Sequence, residues 1–144
     1  RDGTIWEEKV ECIKNMIYSG IDISWSNTIQ LLNIGYLDEI YDFVEGLRNE
    51  FPNKKIYPAH LNNLLTYPKK FRANNVPTKI ANNYLEHYIN KDFDNINTHR
   101  TTLEKSKNDD EFMKAIREYR FFDERRGTCL LDEWPEFEKY YAIS

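Results

Sequence analysis

The spacing of hydrophobic residues changes from one period to another near the start of the chain. Apolar residues recur every three or four positions over residues 6–17, which predicts an amphipathic helix that ends at Gly20. Thr4 and Glu7 stand three positions apart, as in a capping box, and predict where this helix begins. Over residues 21–26 apolar and polar residues alternate, which predicts a strand with one apolar and one polar face.

The next segment again predicts a helix followed by a strand. An apolar stripe predicts a helix over residues 37–50, and a largely apolar run predicts a second strand over residues 54–65. Pro58 has no N–H to donate to a ladder, so it favours an early strand position or an irregular edge. Pro77 predicts the start of a third helix. Two strands joined by such a helix form a right-handed βαβ unit, so the pattern predicts an α/β fold with parallel strands.

The second half of the chain has a weaker pattern. Residues 91–108 are polar and predict a linker, with one short helix near residues 101–106. A capping signal at Asn108 and an apolar stripe predict a further helix that ends at Gly127. The aromatic tail is expected to pack onto the rest of the chain, with a short helical turn after Pro135. The predicted organisation is a βα part, a polar linker and a C-terminal helix with its tail, at 1–90, 91–108 and 109–144.

Composition narrows the classes of protein to which this chain can belong. Its 144 residues suit one compact domain, and a net charge of −4 gives no electrostatic footprint for nucleic acid or an anionic membrane. No apolar run approaches the roughly 18 residues of a membrane span. The two cysteines, Cys12 and Cys129, lack metal-ligand spacing, and we interpret them as reduced thiols of a cytoplasmic protein.

A series of short motifs runs along the chain in a fixed order. The first are WEEKV at residues 6–10 and IDISWSNTIQLLNIGYLDEIYDF at residues 21–43. NNLLTYP at residues 62–68 and a Val-Pro pair at residues 76–77 follow, and FFDERRGTCLLDEWPEF at residues 121–137 comes last. Together these motifs resemble the C-terminal part of the barrel in radical SAM superfamily proteins of the twitch-domain-containing type.

This resemblance implies an α/β fold with a partial parallel (β/α) barrel-like unit, in the order helix, strand, helix, strand, helix, followed by C-terminal helices. In that family a CxxxCxxC loop holds a [4Fe–4S] cluster, whose open iron binds S-adenosylmethionine. The loop does not occur in this sequence. The resemblance therefore implies a C-terminal portion of a radical SAM enzyme that helps wall the cavity for S-adenosylmethionine and substrate without binding a cluster itself. The implied partners are the missing N-terminal half or a homo-oligomer partner, and a small-molecule or peptide substrate.

The ends of the two predicted strands supply the candidate site residues. Ligands of parallel α/β folds bind at the carboxyl ends of strands, where amides and hydroxyls offer both donors and acceptors. In the resembled family, late barrel strands flank the nucleoside part of the cofactor and the substrate. The alternative is that these side chains cap strand ends and turns or, for the tyrosine, plug the barrel mouth. The candidates are Asn27, Thr28, Asn62 and Asn63 for cofactor binding, and Ser26 and Tyr67 for substrate binding.

Other features leave two interpretations open. The basic loop of Lys69, Lys70 and Arg72 either binds a phosphate or carboxylate or is simply solvated. His60 is expected to pack in the core, and His87 is expected at a helix surface. The enzymatic status of the chain stays open, because it resembles part of a radical SAM enzyme but lacks the iron–sulfur cluster motif. The alternative function is a non-enzymatic α/β binding or protein-interaction module.

Overall fold

A computed structural model describes residues 5–106 and 109–144, so the predicted capping residues Thr4 and Asn108 lie outside the described residues. The regular elements, in chain order, are α1 (Trp6–Tyr18), β1 (Ser26–Ile29), α2 (Leu37–Glu50), β2 (His60–Leu64), α3 (Thr78–His87), α4 (Ile96–Glu104), α5 (Asp109–Arg126) and α6 (Glu138–Ala142). Short 3₁₀ turns stand between them at Lys69–Phe71, Ala73–Asn75, Leu130–Asp132 and Pro135–Phe137.

β1 and β2 pair in parallel on either side of α2 in the sequence, which confirms the predicted pairing of the two strands. Ser26 lies opposite His60, and Thr28 lies opposite Asn63. Between these two pairs β2 advances by one residue more than β1, and this irregularity is a β-bulge. The bulge therefore sets the register at the carboxyl ends of both strands.

Both strands are shorter than the sequence pattern predicts. The segments 21–26 and 54–65 do approach each other, but an isolated bridge between Ile23 and Ile56 stands where a continuous ladder was expected. Pro58 lies between that bridge and β2, and its missing N–H interrupts the pairing. The regular ladder therefore begins only after the proline.

The helices of the first part follow the predicted stripes. α2 covers residues 37–50 as predicted, and its Val44 is buried in the core. Burial of one such aliphatic side chain contributes about 1.5–3 kcal/mol. Gly20 and Gly127 have positive φ angles of 84° and 66°, which are the left-handed conformations that end α1 and α5. α3 begins directly after Pro77, where the sequence predicted it.

The segment predicted as a polar linker contains α4. This helix is longer than the short one expected near residues 101–106, and it buries Ile96, His99 and Leu103. Arg100 connects it to the end of α3, because its Nη2 donates to the carbonyl of Tyr88 at 2.5 Å. Three buried residues at spacings of three and four form a narrow stripe, which the surrounding polar residues conceal in the sequence.

The described residues form a mixed α/β fold that is mostly helical, with one two-stranded parallel sheet. Its hydrophobic core includes Ile29 from β1 and Leu61 from β2, both fully buried. Within the described part of the chain, no helix is long and apolar enough to cross a membrane. A barrel wall needs more strands than these two, so the coarse α/β class is what this fold establishes.

Candidate functional site

The two-stranded sheet has one buried face and one polar face. Ile29 and Leu61 point into the core, whereas Ser26, Thr28 and Asn63 are exposed. Since paired residues of parallel strands point to the same side, the register places Thr28 and Asn63 together on the exposed face. Their side chains also meet directly, because Asn63 Nδ2 donates to Thr28 Oγ1 at 3.3 Å. We call this surface, formed by Ser26, Thr28, His60 and Asn63, the polar sheet face.

The other predicted site residues have different surroundings. Asn27 is half-buried, and its Oδ1 accepts a hydrogen bond from Trp25 Nε1 at 2.6 Å. Asn62 is exposed at the bulge of β2. Tyr67 is 79% exposed beyond the end of β2. The structure thus brings Thr28 and Asn63 into contact, gives Asn27 a partner within the protein, and leaves the Asn62 and Tyr67 side chains facing solvent.

Asn33, which the sequence did not single out, closes part of the edge of β1. Its Oδ1 accepts a hydrogen bond from the backbone N–H of Gln30 at 2.9 Å, and its Nδ2 donates to the carbonyl of Thr28 at 3.0 Å. The carbonyl of Ile29 instead accepts from Leu65 on the β2 side. Because backbone groups alternate in direction along a strand, Asn33 satisfies the edge that faces away from β2. An asparagine a few residues past a predicted strand is the only sequence signal for this role.

The three cationic side chains of the basic loop lie in three different environments. Lys70 forms an ion pair with Glu118 of α5. Arg72 is half-buried, and its Nε donates to the carbonyl of Thr66 at 2.8 Å. Lys69 is exposed to solvent. The loop is therefore not a uniform solvated run, because one cation is neutralised and another is held in a fixed orientation.

A second polar cluster lies at the start of α2. Asp38 is buried, and its Oδ2 is 2.9 Å from both His87 Nε2 and Lys91 Nζ. Burial raises the pKa of Asp38, but the hydrogen bond from Lys91 and the charge of His87 outweigh it, so the pKa lies below its ordinary value of 3.8. The cluster ties α2 to α3 and its following residues, and this contact accounts for His87 at the helix surface.

One of the three histidines is placed differently from the sequence expectation, whereas His87 is exposed on α3 as predicted. His60, which was expected in the core, is exposed on the polar sheet face, because its neighbours Ala59 and Leu61 take the buried positions. His99 is the fully buried one. The sequence analysis missed it because it stands in the segment interpreted as a linker.

The residues present fit one of the two groups implied by the family resemblance. A cluster bound through three thiolates does not fit, since the sequence has two cysteines and the structure places Cys12 on the exposed side of α1. Among the described residues, no group of three or more His, Cys, Asp and Glu side chains could hold a metal ion. The amide and hydroxyl of the polar sheet face do suit the edge of a nucleoside, because each offers a donor and an acceptor.

Comparison of the chain with protein-family models, with curated proteins and with solved structures finds no match.

Proposed function

We propose that the polar sheet face is part of the wall of a small-molecule cavity. One observation carries this proposal: two parallel strands bury one face in the core and present paired polar side chains, Thr28 and Asn63, on the other. On a sheet face that contacts only solvent, lysine or glutamate would be equally suitable at these positions. Neutral groups with both donors and acceptors are the kind that orient a polar ligand.

The finer form of this proposal is that the chain is the C-terminal part of a radical SAM enzyme in the cytoplasm. The support is the order of motifs in the sequence together with the helix, strand, helix, strand, helix order over the first part of the chain. In this form β1 and β2 are late strands of a partial barrel, and the polar sheet face contacts the nucleoside part of S-adenosylmethionine. Another chain or segment supplies the cluster, and the substrate is a small molecule or a peptide.

Nuclear magnetic resonance of the ¹⁵N-labelled chain tests the proposal directly. We expect titration with S-adenosylmethionine, and separately with 5′-deoxyadenosine, to shift the amide signals of Ser26, Thr28 and Asn63 in a saturable way. Asn63→Ala removes the amide from the face and is expected to weaken binding about tenfold, since a lost hydrogen bond contributes about 1 kcal/mol or more. Asn82→Ala, at an exposed position of α3, is the matched control and is expected to leave binding unchanged.

Two results would contradict the proposal. One is a saturated titration in which the largest shifts lie away from the two strands. The other is equal binding by the Asn63 and Asn82 variants. Anaerobic reconstitution with iron and sulfide separately tests the finer form: a cluster that forms on this chain alone and cleaves S-adenosylmethionine would show that the assignment of the cluster to another chain is wrong.

A second candidate function, a protein-interaction module, is favoured by the apolar residues exposed around α1. Trp6 is 54% exposed and Tyr18 is 64% exposed, and Ile21 beyond the helix is also exposed. Large apolar side chains exposed along one helix and the turn that follows it can form a contact surface for another chain or a second copy. We expect Trp6→Gln to lower self-association, or binding to a co-purified chain, in sedimentation velocity. A monomer at all concentrations for both proteins would count against a second copy.

A further inference from the structure

A cleft lies where β2 ends, beside the final turn of α4. Its volume is about 340 Å³, at the low end of the roughly 300–1,000 Å³ range of small-molecule sites. Leu64, Leu65 and Ala73 contribute apolar atoms to its lining. Thr66, Arg72, Thr102 and Lys105 contribute polar ones. The cleft thus combines an apolar wall with two cationic side chains.

The charges lining this cleft are all positive. No Asp or Glu belongs to its lining. Among the ion pairs of residues 5–106 and 109–144, none involves Arg72 or Lys105. The chain as a whole carries a net charge of −4, whereas this cleft holds two cations that have no carboxylate partner among these ion pairs. The cleft is therefore positive on a chain that is negative overall. By contrast, a second groove, which runs along α1, has two carboxylates, Glu8 and Glu11, in its lining.

Arg72 is held in a fixed orientation before any ligand binds. Its Nε donates to the carbonyl of Thr66 at 2.8 Å, and its backbone N–H donates to the carbonyl of Lys69 at 3.2 Å. Neither terminal nitrogen has a hydrogen-bond acceptor among the contacts of the described residues. A guanidinium fixed through Nε presents those two nitrogens as a fork that matches a carboxylate. This preorganisation lowers the entropy lost on binding.

The two walls of the cleft are joined by Ser106. Its hydroxyl lies 2.9 Å from the carbonyl of Asn74, in the loop after Arg72, and also contacts the carbonyl of Val76. Ser106 is buried and follows Lys105, the C-cap residue of α4. The loop and the end of the helix are therefore fixed relative to each other. A cation at this end of α4 also complements the helix dipole, so Arg72 is the more specific of the two cations.

We propose that this cleft binds a small ligand that has a carboxylate on an apolar body. The carboxylate lies between Arg72 and Lys105, and the apolar body lies against Leu64 and Leu65. Arginine favours a planar carboxylate because two parallel N–H···O bonds form at once. This inference goes beyond the proposed function, since it concerns the cleft between β2 and α4 and not the polar sheet face.

The test is a titration of the ¹⁵N-labelled chain with benzoate and with hexanoate, at constant ionic strength. We expect saturable shifts of the amide signals of Leu65, Arg72 and Thr102. Benzyl alcohol has a similar apolar body without the charge, and it is expected to bind at least about tenfold more weakly, because it cannot form charge-assisted hydrogen bonds with the two cations. Inorganic phosphate distinguishes a carboxylate site from a general anion site.

Three variants separate the cleft from general electrostatics. Arg72→Gln and Lys105→Gln are each expected to weaken benzoate binding, the former by about tenfold or more. Lys69→Gln makes the same change of charge at an exposed position in the same loop, outside the cleft, and is expected to have no effect. Lys105→Gln keeps the test valid even where Arg72→Gln loses its bond to Thr66 and unfolds.

Several outcomes would overturn the proposal. These are no saturable binding of either carboxylate, equal weakening by Lys69→Gln and Lys105→Gln, equal binding of benzyl alcohol, or binding of phosphate without binding of either carboxylate. Failure here and failure of the proposed function are distinguishable, because the two titrations report on different amides. Shifts at Thr28 and Asn63 belong to the polar sheet face, and shifts at Leu65 and Thr102 belong to the cleft.

Discussion

His99 is a fully buried histidine packed against the ring of Phe93, with ring centroids 6.5 Å apart. Within the described residues neither of its ring nitrogens has a hydrogen-bond partner of good geometry. Burial lowers the pKa of His99 below its ordinary value of 6.5, and the Leu61 backbone and Asp94 oppose this only in part. The folded protein therefore holds His99 neutral. In the unfolded chain the same ring takes up a proton near pH 6.5, so stability is lost as the pH falls below that value toward the folded-state pKa.

We predict that the free energy of unfolding falls by at most about 2 kcal/mol between pH 7 and pH 5 because of His99. His99→Leu removes the titrating group at similar volume, so the variant should lose less stability over this interval than the parent chain. Urea unfolding followed by circular dichroism at several pH values measures this slope. His60→Leu, at an exposed position, is the control and should keep the parent slope. A parent slope retained in His99→Leu would show that another group carries the pH dependence.

Gly35 is required because of a close approach by an aromatic ring. A methyl group at this position would lie 2.5 Å from two ring carbons of Tyr84, which is a buried residue. Gly35→Ala is therefore predicted to lower the free energy of unfolding by about 1–3 kcal/mol through overpacking. Gly46→Ala is the matched control, because Gly46 lies in α2 with no atom nearby and alanine there should add about 0.5–1 kcal/mol. Thermal unfolding of both variants should show opposite signs, and a stable Gly35→Ala would contradict the steric argument.

At the scale of elements, the sequence predicts best where the pattern is long and regular. α2 coincides with its predicted bounds because a full stripe and a following proline define it. The bounds of the strands are harder to predict, because the effects of the bulge and of Pro58 appear only when the two strands pair. Alternation of apolar and polar residues does not encode that pairing. α4 illustrates a different failure, since its stripe of three buried residues is too narrow to stand out among polar neighbours. Its stability comes from contacts such as the one from Arg100 to Tyr88, which no local pattern reveals.

The C-terminal tail is attached to the start of α2 and to α3 through one carboxylate. Glu136 Oε1 accepts hydrogen bonds from the hydroxyls of Tyr36 at 2.6 Å and Tyr84 at 2.5 Å. Burial, and then the bond to Glu136, raise the pKa of each tyrosine, so both remain protonated donors at neutral pH. Trp134 adds a further bond, because its Nε1 donates to the carbonyl of Leu32 at 2.6 Å. The tail thus packs as predicted, through polar contacts that the sequence did not specify.

Glu136→Ala is predicted to lower the free energy of unfolding by about 2–3 kcal/mol, because it removes two hydrogen bonds to a charged group. Urea unfolding measures the change. Glu133→Ala, at an exposed position nearby, is the control and should change stability by no more than about 0.5 kcal/mol. Tyr36→Phe should cost less in the Glu136→Ala background than in the parent chain, because the two residues share a contact. Additive losses would show that this contact contributes nothing.

At the scale of the whole molecule, the sequence predicts which region of the surface carries the polar residues. It predicts less well which other residues each of them contacts. Thr28 and Asn63 meet because the parallel register and the bulge place them side by side, and the sequence predicts only that they lie near the ends of the two strands. The cleft beside β2 combines Arg72 with Lys105, which are distant in sequence and meet only through the packing of α4. A constellation of this kind depends on tertiary contacts and has no local signal.

The edge of β1 that faces away from β2 is closed by a side chain and not by a strand. In the described residues β1 has one strand partner, so its other edge would be open to pairing. Asn33 closes that edge at Thr28 and Gln30 in the way that a neighbouring strand would. Asn33→Ala is predicted to lower the free energy of unfolding by about 1–2 kcal/mol, since two hydrogen bonds are lost. It is also predicted to increase self-association, because the exposed N–H and C=O groups can then pair with a strand of another chain.

Sedimentation velocity over a range of concentrations measures the second effect, and urea unfolding measures the first. Asn62→Ala is the matched control, because Asn62 is an exposed asparagine at the bulge of β2. A decrease in stability without self-association would show that residues outside Asn33 protect the edge, whereas an unchanged protein would show that water replaces the side-chain amide at no cost. Self-association by Asn33→Ala but not by Asn62→Ala would show that the Asn33 side-chain amide prevents β1 from pairing with a strand of another chain.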